Sequence, residues 1–112
     1  MIPRVVLVEP LQNYCIRVEF KDGASGVIDV GKTLGFEGVF GKLADVAFFN
    51  RVRVGRTYKT VTWPGQLDLD PVMLYHRATG KKIEWILAQP GPDRPARKAR
   101  AMGKTVSTGE NL

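Results

Sequence analysis

The chain has 112 residues, 44% of them hydrophobic and 25% charged, a composition typical of one ordinary globular domain with a single hydrophobic core. Its longest apolar runs, residues 5–8 and 85–88, fall far short of the roughly 20 residues that cross a bilayer, so we expect no membrane-spanning helix. The net charge of +6 is concentrated at one end, because residues 1–79 carry ten basic and eight acidic side chains, or +2, and residues 80–112 carry the remaining +4.

Residues 4–30 are rich in β-branched and aromatic residues and are interrupted by turn residues, which predicts three strands in an antiparallel meander. The second of these strands has one apolar face, formed by Tyr14, Ile16, Val18 and Phe20. Gly23 can adopt a positive φ and is expected to close a tight hairpin after this strand.

The middle of the chain predicts a loop, a short helix and a second hairpin. Residues 31–41 contain four glycines, and each costs about 1 kcal/mol relative to alanine inside a helix, so we expect a loop. Apolar residues then recur at helical spacing over residues 40–49 and predict a short helix. Alternation over residues 52–63 predicts two more strands that turn near Gly55 and Arg56.

A well-delimited helix is predicted over residues 71–79. Asp70 is a favourable N-cap, Pro71 suits the first helical position, and Gly80 suits a left-handed C-cap. Together with the strands above, these signals predict an α+β fold: an antiparallel sheet, made of a three-stranded meander and a second hairpin, packed with two short helices.

The segment 81–89 fits two patterns. Strand-like alternation is shown by Ile83, Trp85 and Leu87. A helical stripe would be formed by Ile83, Ile86 and Leu87. We favour a final strand, and we predict a single domain over residues 1–89 followed by a flexible basic tail over residues 90–112, where prolines and glycines are frequent and large apolar residues are few.

The redox chemistry of the chain is limited by its one cysteine, Cys15, which has no partner for an intramolecular disulfide. The first residues form a strand-like segment and lack the basic, apolar and cleavage regions of a signal peptide. Both observations predict a cytoplasmic protein in a reducing compartment.

One formal motif match occurs at residues 26–33, which satisfy the phosphate-loop pattern G-x-x-x-x-G-K-[ST]. That loop has to curl its main-chain N–H groups around phosphates, whereas the four middle residues here, Val-Ile-Asp-Val, favour an extended strand. We therefore expect no nucleotide site at Lys32 and Thr33.

Catalytic and metal-binding residue types are scarce. Cys15 and His76 are the only cysteine and histidine, and a thiol next to an imidazole can act as a nucleophile, so a small enzyme that uses Cys15 or His76 is one hypothesis. Alternation places Cys15 on the polar face of its strand, which disfavours this pairing. One histidine, one cysteine and scattered acids give no recognisable ligand spacing, so no metal site and no cofactor are predicted.

Two binding surfaces remain as hypotheses. The basic tail could neutralise phosphates weakly and without sequence specificity through Arg94, Arg97, Lys98, Arg100 and Lys104. A tail that only aids solubility is the favoured alternative to this binding. Trp85, where exposed, would mark a surface for a protein partner.

A distinctive series of residues runs through the second half of the chain: Trp63, Gly65, Asp68, Leu69, Pro71, Leu74 and Tyr75. The first half adds Pro10, Leu11, Asn13, Tyr14, Phe20, Asp22, Gly23, Asp29, Leu43, Phe49 and Val52. With these residues, the chain resembles the bacterial family called domain of unknown function 2442 over about residues 3–78.

The resemblance implies an α+β domain with an antiparallel sheet and no established enzymatic activity. Some members of the family are encoded beside small proteins suspected of belonging to toxin–antitoxin pairs, and some carry the domain ahead of a repressor-like helix-turn-helix. The residues after Gly80 have too little periodic sequence for such a DNA-reading domain.

The leading prediction is therefore a non-catalytic protein-interaction module with an unidentified protein partner, such as an antitoxin-like partner in a two-gene system. Weak nucleic-acid binding or regulation through the basic tail is the alternative, and a small enzyme is the second alternative. The sequence leaves open whether the protein forms a homo-oligomer.

Overall fold

A computed structural model describes residues 1–90 of the chain. The first sheet contains β1 (Val5–Pro10), β2 (Cys15–Phe20) and β3 (Ser25–Asp29), paired antiparallel in the order β1-β2-β3. The predicted meander is confirmed. A second antiparallel sheet and four short helices complete an α+β fold, which is the predicted class.

The central strand of the first sheet is β2, and its side chains alternate between the interior and the outer face. Ile16, Val18 and Phe20 are buried, whereas Cys15, Arg17 and Glu19 are partly exposed. Side chains from both sheets and from the helices fill one core, formed by Val5, Ile16, Val18, Phe20, Ile28, Val30, Leu43, Phe49, Val61, Trp63, Leu69, Leu74, Tyr75 and Ile86.

The glycine-rich segment after β3 begins with a helix instead of the predicted loop. This helix is α1 (Val30–Leu34), and the Asp29 side chain caps it by accepting a hydrogen bond from Lys32 N at 3.0 Å. Gly35 ends the helix in the left-handed conformation, with a φ of 70°. The expectation of a loop was wrong over residues 31–34, because only one of the four glycines, Gly31, lies inside α1 and Gly35 favours its left-handed end.

The helix predicted over residues 40–49 is divided into two pieces. A 3-10 helix spans Gly38–Ala44, and α2 spans Val46–Phe49. Asp45 separates them, since its side chain accepts a hydrogen bond from Ala47 N at 3.0 Å and starts α2 as an N-cap.

The second sheet contains β4 (Arg53–Val54), β5 (Val61–Trp63) and β6 (Leu67–Asp68), in the order β4-β5-β6. The predicted second hairpin is formed by β4 and β5, and β6 adds a short third strand. Trp63 is fully buried, and its indole Nε1 donates a hydrogen bond to the Phe49 carbonyl at 2.8 Å. This bond joins the second sheet to α2.

The predicted capped helix is α3 (Pro71–Thr79). Asp70 accepts a hydrogen bond from Val72 N at 2.9 Å, and Gly80 ends the helix with a φ of 77°. The end of α3 packs closely on β3, where a Cβ atom on Gly26 would lie 2.3 Å from the Ala78 carbonyl oxygen.

Residues 83–88 form a helix, α4 (Ile83–Ala88), so the preference for a final strand was wrong. Ile86 is completely buried, and its N–H donates to the Lys82 carbonyl at 3.0 Å. The N-terminal amine of Met1 also donates to the Leu87 carbonyl at 2.8 Å. The helical pattern prevails because Gly80 turns the chain so that α4 packs against α3 and Ile86 reaches the core.

Candidate functional site

A strongly basic surface is formed by residues 51–60, which contain β4 and the turn that leads into β5; we call this segment the basic hairpin. It has four exposed cations, Arg51, Arg53, Arg56 and Lys59. The sequence contains no aspartate or glutamate between Asp45 and Asp68, and none of the four cations forms an ion pair within residues 1–90. A group of cations that form no ion pair attracts anions, and polyanions most strongly.

Main-chain hydrogen bonds fix the shape of the basic hairpin. Gly55 N donates to the Thr60 carbonyl at 2.8 Å, and Lys59 N donates to the Gly55 carbonyl at 3.1 Å. Lys59 adopts the left-handed region with a φ of 53°, and its carbonyl accepts a hydrogen bond from Val5 N at 2.8 Å. The hairpin is thereby held against β1 of the first sheet.

Two buried threonines anchor the hairpin on its other side. The Thr60 hydroxyl donates to the Leu69 carbonyl at 2.7 Å, and the Thr62 hydroxyl donates to the Asp68 carboxylate. Both threonines are buried, at 3% and 6% exposure, so these bonds satisfy polar groups that would otherwise lose their partners in the interior. They tie the basic hairpin to β6 and to the segment that leads into α3.

A polar groove of about 330 Å³ runs beside the hairpin. Its lining includes Arg53, Arg56, Tyr58, Gln66 and Asp68. Guanidinium groups offer forked donors that match phosphate oxygens in pairs, and the Gln66 amide adds neutral donor and acceptor atoms. The polar groove can therefore bind a phosphate group and a polar group next to it.

An apolar groove of about 430 Å³ adjoins the polar groove. Its lining includes Ile2, Tyr58, Leu69, Asp70 and Pro71, and it shares Tyr58, Thr60 and Asp68 with the polar groove. The Tyr58 side chain is 74% exposed, so the boundary between the two grooves is an aromatic ring open to solvent.

A third groove, of about 380 Å³, extends the basic surface to the first sheet. Its lining includes Arg4, Val6, Lys21, Val54 and Lys59. Val5 completes the lining, so this groove is bordered by three cationic and three valine side chains where the hairpin meets β1 and the β2–β3 turn.

A different kind of groove, which we call the turn groove, has a volume of about 680 Å³ and lies where the turn after β1 meets α2. No charged side chain lines it; the lining residues are Pro10, Leu11, Gln12, Asn13, Tyr14, Val46, Phe49 and Asn50. Its main-chain geometry is unusual, because Asn13 and Tyr14 both lie in the left-handed region, with φ values of 60° and 58°. Tyrosine rarely adopts this conformation.

Aromatic contacts hold Tyr14 in this conformation. Its ring makes edge-to-face contacts with Phe36 and Phe49 at centroid distances of 4.8 and 5.4 Å. Its hydroxyl donates to the Ala44 carbonyl at 2.5 Å. These contacts offset a backbone cost of the order of 1 kcal/mol and keep the wall of the turn groove in place.

Cys15 and His76 have separate surroundings. Cys15 begins β2, and its thiol donates a weak hydrogen bond to the Asn13 carbonyl at 3.7 Å. His76 lies on α3, and its Nδ1 is 2.6 Å from the Lys81 carbonyl oxygen. Neither side chain lines any of the four grooves described above.

The segment that matches the phosphate-loop pattern is not folded as such a loop. Of its four middle residues, Val27, Ile28 and Asp29 are extended in β3, as the sequence predicted, whereas Val30 begins α1. Asp29 directs its carboxylate to Lys32 N, so this main-chain donor is already occupied by a side chain of the chain itself.

The tyrosine with a strongly raised pKa, Tyr75, belongs to the core. Burial, assisted by the neighbouring Asp22 carboxylate, raises the pKa of Tyr75 to about 12. Its hydroxyl donates to Asp22 Oδ2 at 2.7 Å, and its ring packs edge to face on Phe20 at 4.9 Å. Tyr75 therefore joins α3 to the β2–β3 turn and has a structural role.

The described part of the chain contains neither a metal-binding cluster of side chains nor a membrane-spanning helix. Residues 1–90 contain no group of three histidine, cysteine or acidic side chains arranged to hold a metal ion. None of the helices in this range has the length and apolar character required to span a bilayer.

Comparison with protein families identifies one match. The model of the family described as "Protein of unknown function (DUF2442)" matches residues 5–80, which is more than half of the chain. The chain belongs to this family. The resemblance seen in the sequence is confirmed, and a search of curated proteins found no match.

A solved structure has the same fold as this DUF2442 chain. It is the crystal structure of a protein from Nitrosomonas europaea ATCC 19718 that is described as a candidate DNA-binding protein. The two chains are 24% identical and superpose with a TM-score of 0.62, over 70% of this chain and 50% of the other. The matched region thus spans half the length of that protein, and the likeness establishes the fold.

The region that matches the DUF2442 model contains the basic hairpin but none of the residues predicted as binding sites. The basic hairpin lies inside residues 5–80, whereas α4 lies beyond them. Trp85, on α4, is 43% exposed, and Lys81 Nζ lies 5.0 Å from its ring centroid. The five basic residues predicted for nucleic-acid binding, Arg94, Arg97, Lys98, Arg100 and Lys104, lie outside the described residues.

Sequence reasoning missed the basic hairpin because charge was summed over 79 residues, in which acidic side chains elsewhere compensate the local excess. A usable signal was present: residues 46–67 contain four basic side chains and no acidic one. The grooves beside the hairpin had no such signal, since Ile2 and Pro71 are far from Tyr58 in sequence and meet it only in the fold.

Proposed function

We propose that this chain is a non-catalytic nucleic-acid-binding domain that contacts the phosphate backbone through the basic hairpin. The observation that carries the proposal is the set of four exposed cations, Arg51, Arg53, Arg56 and Lys59, without an acidic partner among residues 1–90. Phosphate contacts supply most of the affinity in sequence-independent binding, and no reading of bases is required for them.

The family match supports this assignment over binding by the tail alone. The basic hairpin belongs to the part of the chain that matches the DUF2442 model, whereas residues 91–112 lie beyond the match. The solved structure with the same fold is described as a candidate DNA-binding protein, which agrees with the proposal in the class of ligand.

Binding through the hairpin predicts a specific dependence of affinity on salt concentration. If all four hairpin cations contact phosphates of duplex DNA, the logarithm of the association constant falls with the logarithm of salt concentration with a slope of about −3.6. Arg53→Gln combined with Arg56→Gln reduces the steepness of this slope by about 2. Fluorescence anisotropy of a labelled duplex, titrated with the full chain at several salt concentrations, measures both slopes.

The predicted role of the tail is tested in the same titration. A matched variant replaces the five basic residues of the tail, Arg94, Arg97, Lys98, Arg100 and Lys104, by glutamine. If the hairpin is the main contact with the phosphates, the hairpin variant should lose more affinity for the duplex than the tail variant. If the tail variant loses binding and the hairpin variant retains the slope of the original chain, nucleic-acid binding belongs to the tail and the proposal is wrong.

A second candidate function is the protein-interaction role predicted from the sequence, with an antitoxin-like partner as its specific form. The turn groove favours it, because the groove is uncharged, Leu11 and Val46 at its edge are 39% and 57% exposed, and Tyr14 holds a rare backbone conformation in its wall. Apolar and amide side chains of this kind suit an extended peptide segment.

The second candidate is tested by affinity purification of the tagged full chain from its native cells after nuclease treatment. A protein bound in the turn groove should stay bound in high salt, because apolar contacts are not screened, and Leu11→Glu together with Val46→Glu should release it. If this double variant still retains the partner, the partner does not bind in the turn groove. The cytoplasmic location and the division at residue 89 remain predictions.

A further inference from the structure

Tyr58 is the most exposed of the large hydrophobic side chains in the described part of the chain, at 74%. Its hydroxyl forms no hydrogen bond with any residue in the range 1–90, so no internal polar contact of the described chain accounts for its position. An exposed aromatic ring costs solvation free energy in the unbound protein, and such rings are enriched at binding surfaces.

The surroundings of Tyr58 differ on its two sides. The polar groove on one side of the ring is lined by Arg53, Arg56 and Gln66. The apolar groove on the other side is lined by Ile2 and Pro71. The other two residues common to both grooves are engaged internally, since the Thr60 hydroxyl bonds to Leu69 and the Asp68 carboxylate accepts from Thr62. The ring of Tyr58 is therefore the main free group at the boundary between the two grooves.

A nucleotide likewise has one charged part and one largely apolar part. Its phosphate is anionic and matches the two guanidinium groups, whereas its base is a flat, largely apolar ring that stacks on aromatic side chains. The apolar groove also contains Asp70, whose Oδ1 already accepts a hydrogen bond from Val72 N. Asp68 lines both grooves and accepts from Thr62, so the polar groove combines two guanidinium groups with one carboxylate, whereas the apolar groove has two carboxylates and no cationic side chain. A phosphate is therefore favoured in the polar groove.

We infer that the basic hairpin binds single-stranded nucleic acid, with an unpaired base stacked on Tyr58 in the apolar groove and its phosphate at Arg53 and Arg56 in the polar groove. This inference rests on the proposed function and specifies its ligand. Bases in a duplex are stacked on one another and are not free to stack on a protein side chain, so Tyr58 contributes only to single-strand binding.

The test uses the full chain and three labelled probes: a 12-nucleotide oligo(dT), a 12-nucleotide oligo(rU) and a mixed-sequence 12-base-pair duplex. Tyr58→Ala should weaken binding of both single strands about 10-fold, the usual effect of losing one stacked base, and should change duplex binding less than about 2-fold. Tyr58→Phe keeps the ring and should stay within about 2-fold of the original chain on all probes. The oligo(dT) and oligo(rU) arms separate a DNA from an RNA ligand.

Two results would overturn the inference in distinguishable ways. If Arg53→Gln with Arg56→Gln weakens all probes and Tyr58→Ala weakens none, the proposed function stands and the stacking site is wrong. If none of the three probes shows salt-dependent binding to the original chain, both the proposed function and this inference fail. Circular dichroism of each variant confirms that the fold is retained, which is expected because Tyr58 is exposed.

Discussion

Arginines on the two sheets of this protein have opposite surroundings. On the outer face of the first sheet, Arg17 donates to Glu9 at 2.8 Å and to Glu19 at 2.7 Å, and these acidic partners raise the pKa of its guanidinium. In the hairpin of the second sheet, Arg53 on β4 and Arg56 in the following turn have no ion-pair partner within residues 1–90. The difference lies in the neighbouring acidic residues: Glu9 and Glu19 reach Arg17, whereas the carboxylate that lines the polar groove, Asp68, accepts the Thr62 hydroxyl and forms no ion pair with either arginine.

The contrast teaches that residue type alone does not mark a binding surface. Arg17 is neutralised across adjacent strands and cross-links β1 to β2, so its charge is used within the chain. The charges of Arg53 and Arg56 remain available to an external anion. The first sheet and α3 thus form a scaffold and the hairpin forms a binding surface, and substitutions in the two regions should have different effects.

The largest effect is expected from reversing charge on the hairpin. Arg53→Glu combined with Arg56→Glu should weaken nucleic-acid binding roughly 100-fold at 50 mM salt, because two phosphate contacts and their counterion release are lost. The matched control is Lys32→Glu with Lys42→Glu, which changes the net charge equally at exposed lysines that line none of the described grooves. Anisotropy titrations measure both variants, and equal losses would show that net charge, not the hairpin, determines binding.

The next effect tests the scaffold. Gly26→Ala places a Cβ 2.3 Å from the Ala78 carbonyl oxygen, so α3 has to move away from β3, and the free energy of unfolding should fall by about 2–3 kcal/mol. Urea denaturation measures this change. Gly41→Ala is the control, since its Cβ meets nothing closer than 3.7 Å, and a loss of stability as large in this variant would argue against the steric explanation.

Alkaline pH should weaken the same scaffold. The pKa of Tyr75 is about 12 in the folded chain and about 10 when unfolded, so its stabilisation is complete below pH 10 and is lost as the pH rises from 10 to 12. The expected loss is about 2 kcal/mol, measured by urea denaturation at several pH values. Tyr75→Phe removes the ionisable hydroxyl and should flatten this part of the profile; an unchanged profile would assign the pH dependence to other groups.

The smallest effect is expected at the paired arginine. Arg17→Gln removes two ion pairs that are partly open to solvent, so the midpoint of urea denaturation should change little. Nucleic-acid affinity should stay within about 2-fold, because Arg17 lines none of the described grooves. A larger loss of affinity would place Arg17 in the binding surface and remove the contrast between the two sheets.

Much of the fold could be predicted because its signals are local. The alternation of Ile16, Val18 and Phe20 determined which face of β2 is buried, and Asp70 and Gly80 delimited α3 at the correct residues. Prediction was wrong for α1 and for α4. In α1, the cap at Asp29 outweighed the loop-like glycine content. In α4, the burial of Ile86 against the rest of the chain outweighed the strand-like alternation.

The sequence by itself determined the α+β class, the first meander, the capped helix and the family, because alternation and capping act between residues close in the chain. Only the tertiary structure decided the grooves of the candidate site. The two grooves beside Tyr58 are completed by Ile2, Gln66 and Pro71, which lie in other segments of the sequence. The pairing of β5 with β6 and the start of α3 place Gln66 and Pro71 near the hairpin. Such contacts depend on packing between distant segments, and no local pattern encodes them.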